Sequence, residues 1–153
     1  MKLIPYFKKI VIDITYIHVR NEGWTYIAPV MDLYDRKIID WTYGKNITAE
    51  LAVNVVRNIY LNIPDTKGII LHSDLGSQYI SEKFEVCLKE LGIRHSFSRK
   101  GNSYDNACIE SFHFVLVHLV WWTSEVLTPF DIVVRCFTER RNGCIEDYNN
   151  FLD

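Results

Sequence analysis

The sequence predicts an α/β domain, and two observations carry that prediction. Three β-rich runs lie within the first 43 residues, separated only by short turns, and beyond them helix-period and strand-like segments alternate. The chain has 153 residues, 48 % hydrophobic and 24 % charged. A chain of that size suits one domain able to bury roughly 70 % of its unfolded surface.

The first run, Ile10 to Ile17, reads as a strand with Asp13 and Thr15 on one face and Ile12, Ile14 and Tyr16 on the other. Asn21-Glu22-Gly23 is a turn, Trp24 to Leu33 a second strand, and Asp35-Arg36 turns the chain into a third, Lys37 to Tyr43. Short turns between strands make an antiparallel meander. Thr48 is placed to cap a helix through about Leu61, with Leu51, Val55 and Ile59 as its apolar stripe and Pro64 just beyond. A strand at 68–71 follows, then a helix from about Ser81 to Leu91 with Phe84, Leu88 and Leu91 inward. Gly92 is a natural stop for that helix. A short strand, Ile93 to Phe97, precedes a last helix for which Asp105 is a good cap. From Val115 to Trp122 the chain is apolar on every face and rich in β-branched residues, which reads poorly as an exposed helix and is an aggregation hazard.

Formal charge is −2, a poor overall match to a nucleic-acid binder. Distribution matters more, because Arg94, His95, Arg99 and Lys100 cluster without an acid between them, whereas 101–134 holds no Lys or Arg. Cys87, Cys108, Cys136 and Cys144 show no Cys-x-x-Cys spacing and no secretory segment precedes them, so reduced thiols in a cytoplasmic protein are expected. His113 and His118 are five apart, off one helical face, which argues against zinc. The apolar run 112–122 falls short of the ~20 residues of a membrane span, so no membrane partner is expected.

Chemistry is expected where carboxylates sit in costly places. Asp13 lies inside one β-rich run and Asp74 ends another, and a charge on a core strand is unfavourable unless something uses it. Glu110 shares a helical stripe with Asn106 and His113, at i−4 and i+3. A lone stripe of this kind is usually a solvated face. Together the three acids form the pattern Asp-x60-Asp-x35-Glu, whose usual beneficiary is a divalent metal. Asp32, Asp35 and Asp40 fall at turns and strand ends and are given no such role.

With His72-Ser-Asp-Leu-Gly-Ser-Gln-Tyr79 and the segment Ser98-Arg-Lys-Gly-Asn-Ser-Tyr-Asp-Asn-Ala-Cys-Ile-Glu-Ser-Phe112, this pattern resembles the integrase catalytic core of bacterial insertion-sequence transposases, relatives of retroviral integrases in the Asp-Asp-Glu superfamily. The resemblance covers roughly Ile10 to Leu116. It implies a ribonuclease-H-like fold, a five-stranded mixed sheet flanked by helices, with the first and fourth strands adjacent so that Asp13 and Asp74 approach. It implies a Mg²⁺-dependent polynucleotidyl transferase for DNA cleavage and strand transfer, with Asp13, Asp74 and Glu110 as catalytic residues and ligands of two Mg²⁺ or Mn²⁺ ions. DNA, both element ends and target, is the implied partner, and a homo-oligomer is implied because two ends must be held together. Arg99 and Lys100 would follow the DNA backbone, with Asn102, Asn106, Gln78 and Tyr79 as further contacts. Gly76 would allow a tight turn in the loop after Asp74.

Departures from the family pattern are equally specific. Leu75 stands where the family usually has Arg, Val117 where it has a DNA-contacting Lys, and the Trp often found before the first Asp is absent. After about Leu116 the match stops abruptly, as a frameshift in the gene would produce. The expected division is therefore a catalytic core over 1–120 and a divergent tail over 121–153, lacking the helix-turn-helix segments that normally precede the core. The competing expectation is a catalytically inactive DNA-binding or oligomerising remnant.

Overall fold

The computed structural model describes residues 7–19, 21–98, 106–123 and 131. Strands β1 (Lys9–Ile12), β2 (Thr15–Val19), β3 (Gly23–Asp32) and β4 (Ile38–Gly44) precede helix α1 (Ala49–Asn62). Strand β5 (Ile70–Ser73), helix α2 (Glu82–Glu90), strand β6 (Arg94–Phe97) and helix α3 (Ala107–Thr123) complete the order. The predicted order of elements is therefore the observed one, with a correction at the first strand. The first strand is broken in two at Asp13–Ile14.

The break has a cause on the neighbouring strand. β1 and β2 both pair antiparallel with β3, and the pairs Ile12↔Val30 and Thr15↔Ile27 share one register. That register sets Pro29 across from Asp13. Proline has no N–H to give the ladder, so pairing lapses there and resumes two residues later. Counting β1 and β2 as one interrupted strand leaves the expected five-stranded mixed sheet. β4 flanks β3 on its other side, and β1, β5 and β6 run parallel.

Helices cover both faces of the sheet. α1 and α2 bury Val55, Val56, Ile59, Phe84 and Leu88 against Ile10, Ile12, Ala28 and Val30. α3 buries Ile109, Phe112 and Leu116 against Val11, Ile17, Ile27 and Met31. This is why Ile10, Val11 and Ile12 are all fully buried instead of alternating. Local signals agree with this packing. Thr48 and Ser81 cap α1 and α2 through hydroxyls that accept from the Leu51 and Phe84 N–H groups, and Gly92 leaves α2 at φ +69°.

α3 overturns the expectation for Val115 to Trp122, because the helix continues through them to Thr123. β-branched residues cost a helix at most ~0.7 kcal/mol each, whereas burying a large apolar side chain contributes about 1.5–3 kcal/mol. Phe112 and Leu116 therefore decide the conformation, although Phe114 and Val117 on the opposite side stay exposed. The helix crosses residue 120, and the tail beyond it, 124–130 and 132–153, lies outside the described residues.

Candidate active site

Three elements bring the three acids to one edge of the sheet. β1 pairs with β5 in parallel register, Val11 beside His72, so two residues further on Asp13 stands beside Asp74, each just past the end of its strand. Glu110 sits in the first turn of α3, whose hydrogen bonding starts with Glu110 N–H to the Asn106 carbonyl at 2.9 Å. Asn106 thus holds the cap position expected for Asp105, and Asp105 itself lies outside the described residues.

The electrostatics mark these acids as one group. Burial, followed by the charges of Asp74 and Glu110, pushes the Asp13 carboxyl up to about 7. Asp74 is exposed, and its Oδ1 accepts the Gly76 N–H at 2.7 Å. Gly76 has no positive φ; its smallness serves spacing. A Cβ there would lie 2.5 Å from Gln78 Nε2 and 2.9 Å from Asp74 Oδ1. Among the described residues no three His, Cys, Asp or Glu side chains already stand as a closed metal cage.

Two further buried polar side chains, Tyr79 and His113, lie at Asp13. Among the described residues His113 Nε2, and Asn106 Oδ1 at the start of α3, are buried without a hydrogen-bond partner, whereas the Tyr79 hydroxyl is within reach of the Gln78 side chain and the Ile14 main chain. Tyr79 lies close to Asp13, Asp74 and the Ile14 main chain, and burial with the Asp13 charge pushes its phenol up. The Nδ1 atom of His113 is 3.5 Å from Asp13 Oδ2, and its ring also hydrogen-bonds the Asp13 main chain. Burial pushes His113 down to about 4, so at neutral pH this is a neutral hydrogen-bonding contact and not an ion pair. The stripe of Asn106, Glu110 and His113 is therefore no solvated face, since two of its members are buried against the sheet edge.

Several expected DNA contacts need correction. Tyr79 is fully buried and cannot reach a DNA backbone; it forms the floor beneath Asp13 and Asp74. Asn106 is also buried, and its role is to begin α3. Gln78 is half-buried, folded over Gly76. Arg99, Lys100 and Asn102 lie outside the described residues. His95, grouped with the basic cluster by sequence, is instead enclosed and bonded to Glu85. Asp32 is buried at the end of β3, where it accepts the Phe7 and Tyr34 N–H groups, consistent with a structural role. Sequence reasoning missed the contact of His113 with Asp13 and the interruption at Pro29. A proline inside an otherwise strand-like run was the available signal.

Comparisons with known proteins agree with the fold. The family profile described as "Integrase core domain" matches residues 7–103. The "Transposase InsF for insertion sequence IS3A" of Escherichia coli K12 is 41 % identical over 100 residues, covering 65 % of this chain and 34 % of that protein. The "Insertion element IS600 uncharacterized 31 kDa protein" of Shigella sonnei is 39 % identical over 102 residues, covering 67 % of this chain and 37 % of that one. The chain thus spans about a third of the length of these relatives. Among solved structures, a simian T-cell lymphotropic virus intasome bound to PP2A regulatory subunit B56 gamma aligns with TM-score 0.74 at 18 % identity, over 87 % of this chain and 48 % of that one. The HTLV-2 integrase catalytic core in complex with magnesium aligns with TM-score 0.71 at 12 % identity, over 89 % and 87 %. These structures share the ribonuclease-H-like fold. Among the described residues no helix is long and apolar enough to cross a membrane.

Proposed function

The chain belongs to the integrase core domain family, and from that premise we propose that Asp13, Asp74 and Glu110 form the divalent-cation site of a transposase catalytic core, a polynucleotidyl transferase that cleaves DNA and joins its ends to a target. The observation that carries this reading is the parallel register of β1 and β5 that sets Asp13 beside Asp74, with Glu110 near enough that its charge joins burial and Asp74 in raising the Asp13 carboxyl to about 7. A carboxyl raised first by burial and then by two neighbouring acids is one whose ionised form a divalent cation would favour. The all-oxygen chemistry of the three acids suits Mg²⁺ or Mn²⁺.

When bound, a pair of such ions supplies activation of an attacking oxygen and stabilisation of the leaving oxygen of a phosphodiester. The protein's own residues arrange the ligands. The Gly76 N–H holds Asp74 Oδ1 and leaves Oδ2 for a cation, while Glu110 approaches from α3. The basic segment Arg99-Lys100, with Asn102 and Gln78, is the proposed DNA path. A homo-oligomer holding two element ends, acting in the cytoplasm, completes the reading.

A second reading, a DNA-binding or oligomerising remnant without catalysis, is favoured by one observation. Leu75 and Val117 are exposed, 58 % and 38 %, at positions where the family pattern has cations. Titration of Mn²⁺ into the purified chain, beside DNA-end cleavage with Asp13→Asn, Asp74→Asn and Glu110→Gln, separates the two. Binding and cleavage lost in all three variants are expected. Cleavage persisting in all three refutes the site, and a folded wild type that binds no Mn²⁺ makes the remnant the better reading.

A further inference from the structure

Beside the acids lies a hydrogen-bonded chain that the proposed chemistry does not use. Ser73, fully buried at the end of β5, donates its hydroxyl to the carbonyl of Asp74 at 2.8 Å. Its Oγ is also 2.8 Å from His95 Nε2 on β6, and His95 Nδ1 is 2.5 Å from Glu85 Oε1 on α2. Because the Ser73 hydrogen is committed to Asp74, the hydroxyl oxygen is left to accept from the Nε2–H of His95. The chain is fully satisfied when one more proton sits on the His95–Glu85 pair, either on an imidazolium that donates from both ring nitrogens or on Glu85 donating to Nδ1 of the neutral ring. Three elements thereby converge on one main-chain atom.

We propose that Glu85, His95 and Ser73 form a positioning relay that fixes the main chain of Asp74 for cation binding. The inference rests on the reading of Asp74 as a ligand. Asp74 is exposed and lies just beyond the end of β5. A Ser98 N–H to Ser73 carbonyl bond, 2.9 Å, ties β5 to the residue after β6. Ser73 extends the constraint by one residue through its side chain. With the carbonyl held by Ser73 and Oδ1 held by the Gly76 N–H, Asp74 is fixed at both ends. His95 in turn stops the Ser73 hydroxyl from turning away.

The bland alternative is a cross-link that only stabilises the fold. Glu85 is 43 % exposed, so its share of folding stability is small, as for other surface pairs. The His95 ring also packs on Phe97 and Phe84, at centroid distances of 4.1 and 5.4 Å. His95→Phe keeps that packing and removes the ring's hydrogen bonds, which allows the two roles to be separated.

The test is Mn²⁺ titration of the whole chain, comparing wild type, Asp74→Asn, His95→Phe and His95→Gln, with thermal midpoints measured alongside. Residues that orient metal ligands typically change affinity 10–100-fold when lost. His95→Phe should therefore weaken Mn²⁺ binding about tenfold with little change in midpoint. His95→Gln, whose amide can donate to Ser73, should recover affinity to within about threefold. Affinity within twofold of wild type in His95→Phe, or equal defects in the two variants, overturns the relay while leaving the ligand site intact. A wild type that binds no Mn²⁺, like Asp74→Asn, overturns the site reading and the relay with it. If His95→Phe does not fold, Ser73→Ala removes the hydroxyl alone and must show the same loss, and unaltered affinity there overturns the relay.

Discussion

Asp13 and Asp74 stand side by side at the ends of two parallel strands, in the register set by Val11 and His72. The backbone itself therefore imposes the proximity of two like charges, and side-chain rotation can relieve only part of it. Removing one charge should help the metal-free fold. Asp13→Asn is expected to stabilise the metal-free protein at pH 8 by about 2 kcal/mol, a figure discounted for the water that reaches Asp13. That corresponds to about 4–8 °C in Tm for a domain of this size. Thermal unfolding with and without Mn²⁺ checks this, and a lower midpoint for the variant in chelator would contradict it.

The pH response of the metal-free protein follows from the same group. Asp13 is raised from 3.8 to about 7, so between those values the folded state keeps a proton that the unfolded chain has lost. Its contribution to stability is complete below pH 4 and is lost as pH rises through 7. A cation needs the carboxylate, so Mn²⁺ binding at pH 6 should release close to one proton. Calorimetry in two buffers of different ionisation enthalpy should give different heats at pH 6 and equal heats at pH 8.5. Equal heats at pH 6 would mean that Asp13 is already ionised.

His113 acts with the opposite sign. Burial lowers it from 6.5 to about 4, so its contribution is present above pH 6.5 and is lost as pH falls toward 4. His113→Phe gives up the hydrogen bond to Asp13, a loss of about 1 kcal/mol at pH 7. The variant should then gain on the wild type as pH is lowered. Urea unfolding at several pH values between 4 and 7 tests this, and a constant difference would show that His113 is not held neutral.

Much of this site was legible in the sequence, for identifiable reasons. Thr48 and Gly92 act where short-range capping rules place them, and the spacing of Asp13, Asp74 and Glu110 is a linear feature. Their adjacency was not linear information, because it depends on which strands pair, and the family resemblance supplied that. Burial of Tyr79 was hidden because Gln78-Tyr79 sits in an irregular loop with no period to read. The bond from Ser73 to His95 links residues 22 apart on two strands and leaves no periodic trace. The continuation of α3 through Val115 was misjudged because propensity was weighed without the sheet face that Phe112 and Leu116 cover.

The proposed DNA path predicts a salt effect. Arg99→Ala with Lys100→Ala should weaken binding to DNA and lower the slope of log affinity against log salt by about two phosphate contacts. Fluorescence anisotropy across a salt series measures both quantities. An unchanged slope would remove this segment from the interface.

Gly76 offers the sharpest steric test of how Asp74 is held. An added Cβ would meet Gln78 Nε2 at 2.5 Å and Asp74 Oδ1 at 2.9 Å. The Gln78 amide is the end of a flexible side chain and can swing aside at little cost. The Asp74 carboxylate can yield only by lengthening the bond that Gly76 N–H makes to it, now 2.7 Å. Gly76→Ala should therefore weaken Mn²⁺ binding about tenfold, the usual effect of disturbing a ligand's support. Its midpoint should move by only a few degrees, because the loop contributes little to the core. Wild-type affinity in this variant would show that Asp74 adapts freely and that the Gly76 hydrogen bond does not set its orientation.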